Sequence, residues 1–425
     1  MTDRYETIDK NSFLRFYNGE GTFFESLSVW VIDSNMINRH LLWSFPRNTQ
    51  SLNGSSSDHI FPSVNSLPDL SEPIFHMATV SPEDGIRIIY SIMFEAQSNI
   101  QFGGADGTYK IPERSLVILA IESKYFHPSS YKSILTHLYN RLPYKAVMLD
   151  TEIDYYINPK TNRTKNSFEF IGLPFDLSQE AEIGRFHHFI FSTLPVKQIL
   201  SLIFYLLCGS STLVTSSTTT QLCFGCFSML SLLYPIQWPN MLVTALPEYL
   251  LDYASAPVPF IIGIPFNLLS KPQLAHFESE LIVNLDFANV SSPNTIDIKG
   301  KYKLLLRKVA QKINKALDIY RENGIFQAAE IQIYIWEYII GIALIATDNI
   351  GSDYSDKELM DKLAVQIFEL SKTPNKKNSP VLDALIDGTV LVHFSELILE
   401  RNTENMPKKF FSVTKNMGPL MNSLK

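Results

Sequence analysis

Between Val196 and Asp286 the chain alternates short, almost wholly apolar runs with helical ones, and this alternation restricts the fold more than any other feature of its 425 residues. TLVTS (Thr212 to Ser216), MLVTAL (Met241 to Leu246), PFIIGI (Pro259 to Ile264) and LIVNLD (Leu281 to Asp286) have the length and composition of strands. They lack the polar–apolar alternation of a half-solvated sheet, so both of their faces must be covered. Val196 to Leu207, Thr220 to Leu233 and a short helix begun by Pro247 supply the cover. Pro235 stops the second of these helices, because it has no N–H to donate and restricts the residue before it. The expectation is a mostly parallel sheet joined by right-handed crossovers.

The upstream residues follow a different pattern. SLSVWVID (Ser26 to Asp33), HLLWSF (His40 to Phe45), RIIYSIMF (Arg87 to Phe94) and LVILAIE (Leu116 to Glu122) are β-branched and aromatic runs bounded by turn residues. A helix with hydroxyl caps at Ser129 and Ser130 follows them. They form an α+β module over residues 20–142, in which Arg47 to Pro73 reads as a long loop and Gly103 to Gly107 as a surface turn. Residues 143–190 lose periodicity and read as a linker, and 191–295 hold the α/β segment. Residues 296–402 are helical, in four helices at Lys301 to Glu322, Phe326 to Ala346, Asp356 to Lys372 and Pro380 to Glu400, and 403–425 read as a loose tail.

Composition narrows the chemistry. A net charge of -7 lacks the surplus of cations that phosphate neutralisation demands, so no nucleic acid is expected. Three cysteines and an N-terminus without an apolar core suit a reducing, cytoplasmic setting. The apolar runs around Ile199 to Leu207 and Ile333 to Ala346 fall short of about 20 residues, and Glu337 interrupts the second, so neither is expected to span a membrane. P-loop, zincin and nucleophile-elbow motifs are missing, and neither cofactor nor metal is expected. Cys223 and Cys226 have redox spacing, but they sit in an apolar helical pattern and read as core. His187 and His188 are adjacent and cannot share a helical face, so a surface or half-buried setting is expected for them. SSTTT (Ser216 to Thr220) stands where a strand gives way to a helix, and its hydroxyls suit capping, a protein contact or an anion. In KYKLLLRKVAQKINK, Lys301, Arg307, Lys308, Lys312 and Lys315 lie largely opposite Leu305, Val309 and Ile313, as a solvated face or as a contact for acidic lipid or an acidic partner.

The segment LPEYLLDYASAPVPFIIGIP (Leu246 to Pro265), preceded by Tyr234-Pro235 and Gln237-Trp238 and followed by LIVNLDFANV, closely resembles the central part of DENN-domain proteins. Phe45-Pro46, Phe61-Pro62, RIIYSIMFEA and LVILAIESKYFHP resemble the upstream part, and the resemblance covers most of residues 20–402. It implies a bilobal α/β protein with an N-terminal longin-like module, then an α/β lobe with a mostly parallel sheet and a helical C-terminal portion. It also implies a guanine-nucleotide exchange factor for a Rab GTPase, which holds the switch segments in an inter-lobe cleft, makes no covalent bond and works in vesicle trafficking as a cytoplasmic, peripheral membrane protein. Thr218, Gln237, Trp238 and Asp252 are the candidate partner-binding residues, while Pro247, Pro257, Pro259 and Gly263 read as architecture. A GTPase-activating role using Arg39 or Arg47, and a non-catalytic adaptor, are the alternatives. The chain departs from the family at CGSST (Cys208 to Thr212), where members usually carry a charged pair.

Overall fold

The computed structural model describes residues 26–32, 39–45, 73–80, 87–104, 107–123, 128–141, 167–170, 173–176, 179–236, 238–246, 248–255, 257–270, 281–291, 298–348, 358–372, 380–400 and 407–424. It is a mixed α/β chain with a sheet-rich N-terminal region and a helical C-terminal part. Two compact units divide it. The first holds Met1–Glu182, Thr218–Cys223 and Val243–Leu250, and the second holds Ile183–Ser217, Phe224–Leu242 and Leu251–Lys425.

In the first unit, β1 (Ser26–Ile32), β2 (Arg39–Phe45), β3 (Ile74–Val80), β4 (Arg87–Glu95) and β7 (Leu116–Ser123) form a sheet in the order β2-β1-β7-β4-β3, with every pairing antiparallel. All eight residues of β7 are buried, as the unbroken apolar run LVILAIE requires of a strand covered on both faces. On one face Trp30, Ile32, Ile89, Met93, Leu116, Ile118 and Ala120 cluster together. On the other lies the Pro128–Arg141 helix, whose Tyr131 stacks on Tyr90 at 4.3 Å between ring centroids and shares a 2.7 Å hydrogen bond with the Ser123 hydroxyl. The buried Glu182 carboxylate accepts hydrogen bonds from the backbone N–H and the hydroxyl of Ser129, both at 2.9 Å. That puts a negative group on the unsatisfied N–H end of this helix, where the helix dipole favours it.

Strand β3 has no counterpart in the sequence reading, and its exposed edge shows how it is held. An edge strand presents unpaired backbone groups that must be satisfied when buried. The Thr220 hydroxyl accepts from the Phe75 N–H at 3.1 Å and donates to the Phe75 carbonyl at 3.2 Å. The Thr244 hydroxyl donates to the Met77 carbonyl, and the Cys223 thiol is hydrogen-bonded to the Met77 backbone. Beyond β4, β5 (Ile100–Gly104) and β6 (Gly107–Ile111) pair as a hairpin, so the Gly103 to Gly107 turn is the end of a two-stranded ribbon.

The second sheet has the order β11-β12-β10-β13-β14, built from β10 (Thr212–Ser216), β11 (Met241–Val243), β12 (Phe260–Pro265), β13 (Leu281–Asn284) and β14 (Asn289–Ser291). β10 is buried at every residue and runs parallel to β12 and β13, as the apolar runs predict, while β14 turns back antiparallel to β13. CGSST is the stop of the Val196–Leu207 helix: Gly209 takes φ +68°, its N–H bonds the Leu206 carbonyl and the Ser210 N–H bonds the Tyr205 carbonyl.

Several expectations are corrected by packing. The run expected as a single Pro380 to Glu400 helix breaks into Pro380–Asp387 and Val390–Leu399. Gly388 lies so close to the Cys208–Gly209 backbone that an added Cβ would stand 2.4 Å from the Cys208 carbonyl carbon, and Thr389 takes φ 64°. The expected loose tail is helical at Lys408–Ser412 and Met417–Asn422, because Phe410, Met417 and Met421 are fully buried and Phe410 packs edge-on against Trp336 and Phe394. The stretch read as linker contains a strand pair, β8 (Ser167–Phe170) with β9 (Leu173–Asp176), and the start of the Gln179–Thr193 helix.

The Ala328–Ala346 helix is long and apolar enough to cross a membrane by length and composition, with a mean hydropathy of 1.5 over its most apolar stretch, of which 67% is buried inside the protein. Its Trp336 indole donates to the Tyr234 carbonyl at 2.7 Å, and its buried Glu337 pairs with Lys312 at 2.6 Å. Those contacts are what a core helix makes.

Candidate functional site

Because β12, β10 and β13 are parallel, their C-terminal ends share one edge, the position where open α/β sheets commonly hold ligands. The local sequence builds that edge tightly. Asp286, just past β13, accepts from the Ser216 hydroxyl at 2.9 Å and from the Ser217 N–H at 2.7 Å, locking the exit of β10. The Leu285 N–H returns to the Thr215 carbonyl, and the Asn284 side chain accepts the Phe287 N–H at 3.0 Å. Ala288 then takes φ 51°. This turn projects Phe287 outward with 70% of its surface in water. Phe266, at the end of β12, is 40% exposed, and its ring centroid stands 5.7 Å from that of Phe287 at 67° between planes.

Leaving a phenylalanine in water forgoes about 1.5–3 kcal/mol of burial free energy. Here the backbone that carries the two rings is fixed by hydrogen bonds, so the rim is a rigid apolar surface suited to covering by another molecule. Among the described residues, no group of three His, Cys, Asp or Glu side chains could hold a metal ion.

The residues singled out from the sequence are distributed as follows. Thr218 is exposed and caps the Thr219–Leu233 helix, its hydroxyl accepting the Gln221 N–H at 3.3 Å. Asp252 is exposed on the 3-10 turn Glu248–Ser255. Trp238 is buried and donates its indole N–H to the Met241 carbonyl at 3.2 Å, which makes it part of the interior. Pro257 is exposed and Pro259 half-buried ahead of β12, and Gly263 is buried within it opposite Val214. Arg39 opens β2 opposite Ile32. Gln237, Pro247 and Arg47 lie outside the described residues.

Phe266, Asp286 and Phe287 escaped the sequence reading. Their signal was present: an aromatic residue directly after a strand-ending Pro265, and an Asp-Phe pair where an apolar strand gives out.

Buried titratable groups lie elsewhere. Cys223 and Cys226 are fully buried, and burial pushes the Cys223 thiol up to about 11, so it is a packing residue and an edge partner for β3. The expectation for His187 is corrected. It is wholly buried, with Nε2 3.2 Å from the Ser231 carbonyl, and burial pushes its pKa down to about 4, whereas His188 is exposed and bonds the Tyr320 hydroxyl at 2.8 Å.

Part of the chain is similar in sequence to known proteins. Residues 119–288 match the DENN (AEX-3) domain, a span that runs from within β7 to the turn after β13 and includes Phe266, Asp286 and Phe287. Mouse DENN domain-containing protein 1C is 31% identical over 120 residues, covering 27% of this chain and 15% of that protein. Myotubularin-related protein 5 of Caenorhabditis elegans is 23% identical over 235 residues, 53% of this chain and 13% of the relative. Elicitor of plant defense protein 1 of Fusarium odoratissimum is 28% identical over 132 residues, 31% of this chain and again 13% of the relative. The aligned part is thus a small fraction of each relative's length. Over residues 119–288 the chain carries a DENN domain.

Proposed function

We propose that this chain is a guanine-nucleotide exchange factor for a Rab-type small GTPase, acting in the cytoplasm on trafficking membranes. The observation that carries the reading is the fixed, water-exposed Phe266–Phe287 pair at the end of the strands covered by the DENN match. An exchange factor makes and breaks no covalent bond; it needs a preformed surface that binds the nucleotide-free partner more tightly than the loaded one, and that difference in affinity drives GDP out. Two phenylalanines on a hydrogen-bonded turn offer such a surface to an apolar switch segment, with exposed polar groups such as Ser217 at its margin.

The test is release of fluorescent GDP from a panel of Rab proteins, with and without the intact chain. Accelerated release from at least one member is expected, together with its loss in the Phe266→Ser/Phe287→Ser variant at unchanged melting temperature. No acceleration across the panel defeats the exchange reading. Acceleration that survives the double substitution defeats the assignment of the rim.

A further inference from the structure

We propose that the outer face of the Gly300–Asn323 helix is a docking surface for an anionic phospholipid bilayer. From Lys299 to Leu317 the sequence carries Lys299, Lys301, Lys303, Arg307, Lys308, Lys312 and Lys315 and no acidic residue, within a chain whose net charge is -7. At 100° per residue, Lys301, Leu304, Arg307, Lys308, Gln311 and Lys315 fall on one side of the helix, in a stripe about 21 Å long at 1.5 Å rise per residue. The opposite side, Leu305, Val309, Ile313, Ala316 and Leu317, is buried, and the helix packs on the Val196–Leu207 and Ala328–Ala346 helices, so the stripe faces outward.

The charges divide by use. Lys312 is consumed by its 2.6 Å pair with the buried Glu337. Lys301, Arg307 and Lys315 are exposed and Lys308 half-exposed, and among the described residues none of the four has an ion pair with a carboxylate. The stripe ends where Asp318 pairs with Arg321 at 2.6 Å.

Two features favour a membrane over an acidic protein. Leu304 stands in the stripe at 38% exposure, flanked by cations, where it can enter the headgroup layer while the flexible lysines reach lipid phosphates. The surface is one face of a single helix, and its cations are mostly Lys, point charges suited to a mobile layer of anions; fixed bidentate carboxylate recognition favours Arg. Each free cation near an anionic leaflet contributes about a fivefold gain in binding, and the gain fades beyond a Debye length of about 8 Å at physiological salt.

The experiment is flotation of the intact chain with vesicles of phosphatidylcholine alone or with phosphatidylserine, at about 0.1 M and about 0.5 M salt. Binding is expected to the serine-lipid vesicles at low salt only. Lys301→Glu/Arg307→Glu/Lys308→Glu/Lys315→Glu should weaken it at least tenfold, and Leu304→Ser a few-fold. A second variant with Gln at the four basic positions should also weaken it, and guards against effects of charge reversal on folding. Vesicle binding by both four-site variants equal to that of the parent chain overturns the proposal, as does tight, salt-insensitive binding to neutral vesicles. Capture by soluble polyglutamate with no flotation on serine-lipid vesicles also overturns it, and assigns the stripe to an acidic protein.

Discussion

The edge of β3 and the C-terminal rim of β12, β10 and β13 meet the same problem, backbone and side chains left over where a sheet ends, in opposite ways. At β3 the spare N–H and C=O groups are closed off by the Thr220 and Thr244 hydroxyls and the Cys223 thiol, and nothing apolar is wasted. At the rim, Asp286 and Asn284 also satisfy the backbone, but two phenylalanine rings are left in water, one of them 70% exposed. One ending is finished internally, and the other leaves apolar surface in water, the surface proposed above to receive a partner. The contrast indicates that polar side chains at a sheet's end act as architecture in both places, and that the functional signal is the uncovered apolar surface.

If the rim is the exception in a tightly packed unit, changes in that unit's interior must be costly. Gly388→Ala places a Cβ 2.4 Å from the Cys208 backbone and 2.6 Å from the Gly209 nitrogen, where backbone cannot yield cheaply. A loss of about 3 kcal/mol or more in a denaturant titration is expected. A midpoint within error of the parent would show that this unit tolerates strain as the rim does.

Acid gives the next largest effect. His187 is neutral in the fold, its pKa lowered by burial from 6.5 to about 4, so the unfolded chain binds the extra proton first. The penalty therefore begins as pH falls below the unfolded value of 6.5 and is complete near 4, where the folded form also protonates. It amounts to about 3 kcal/mol from a shift of that size. The slope of melting temperature between these limits should flatten in His187→Gln; an unaltered slope assigns the acid sensitivity to other groups.

Thr220→Val tests the closed edge directly. It removes both hydrogen bonds from the Thr220 hydroxyl to the Phe75 backbone and is expected to cost about 1–3 kcal/mol. If thermal denaturation shows no loss, water satisfies this edge and it is as open as the rim. The smallest stability effect belongs to the rim itself: Phe287→Ser should move stability by no more than about 0.5 kcal/mol while lowering GDP release at least tenfold. A large drop in melting temperature would mean that the ring supports the fold, and the contrast between the two endings would disappear.

Local patterning was sufficient for the elements that depend on their own residues. Thr212 to Ser216 and Val196 to Leu207 were legible to the residue because a short β-branched run bounded by turn residues, or a helical period, reports its own conformation without reference to anything distant. The DENN resemblance was legible for a related reason: turn-forming prolines and strand ends keep their spacing along the chain. Long-range contacts decided the remainder. β3 is a strand whose edge is closed by hydroxyls 145 and 167 residues away, and Asp286 meets Ser216 across 70 residues. The helix break at Gly388 depends on a backbone 180 residues earlier, at Cys208, and the described C-terminal residues 407–424 are anchored where Phe410 meets Trp336 and Phe394. The same holds for the rim. A phenylalanine after a strand looks in sequence like any core residue, and only the folded chain, which buries Leu268 and Leu285 at the C-terminal ends of the parallel strands and turns Phe266 and Phe287 towards water, makes them surface.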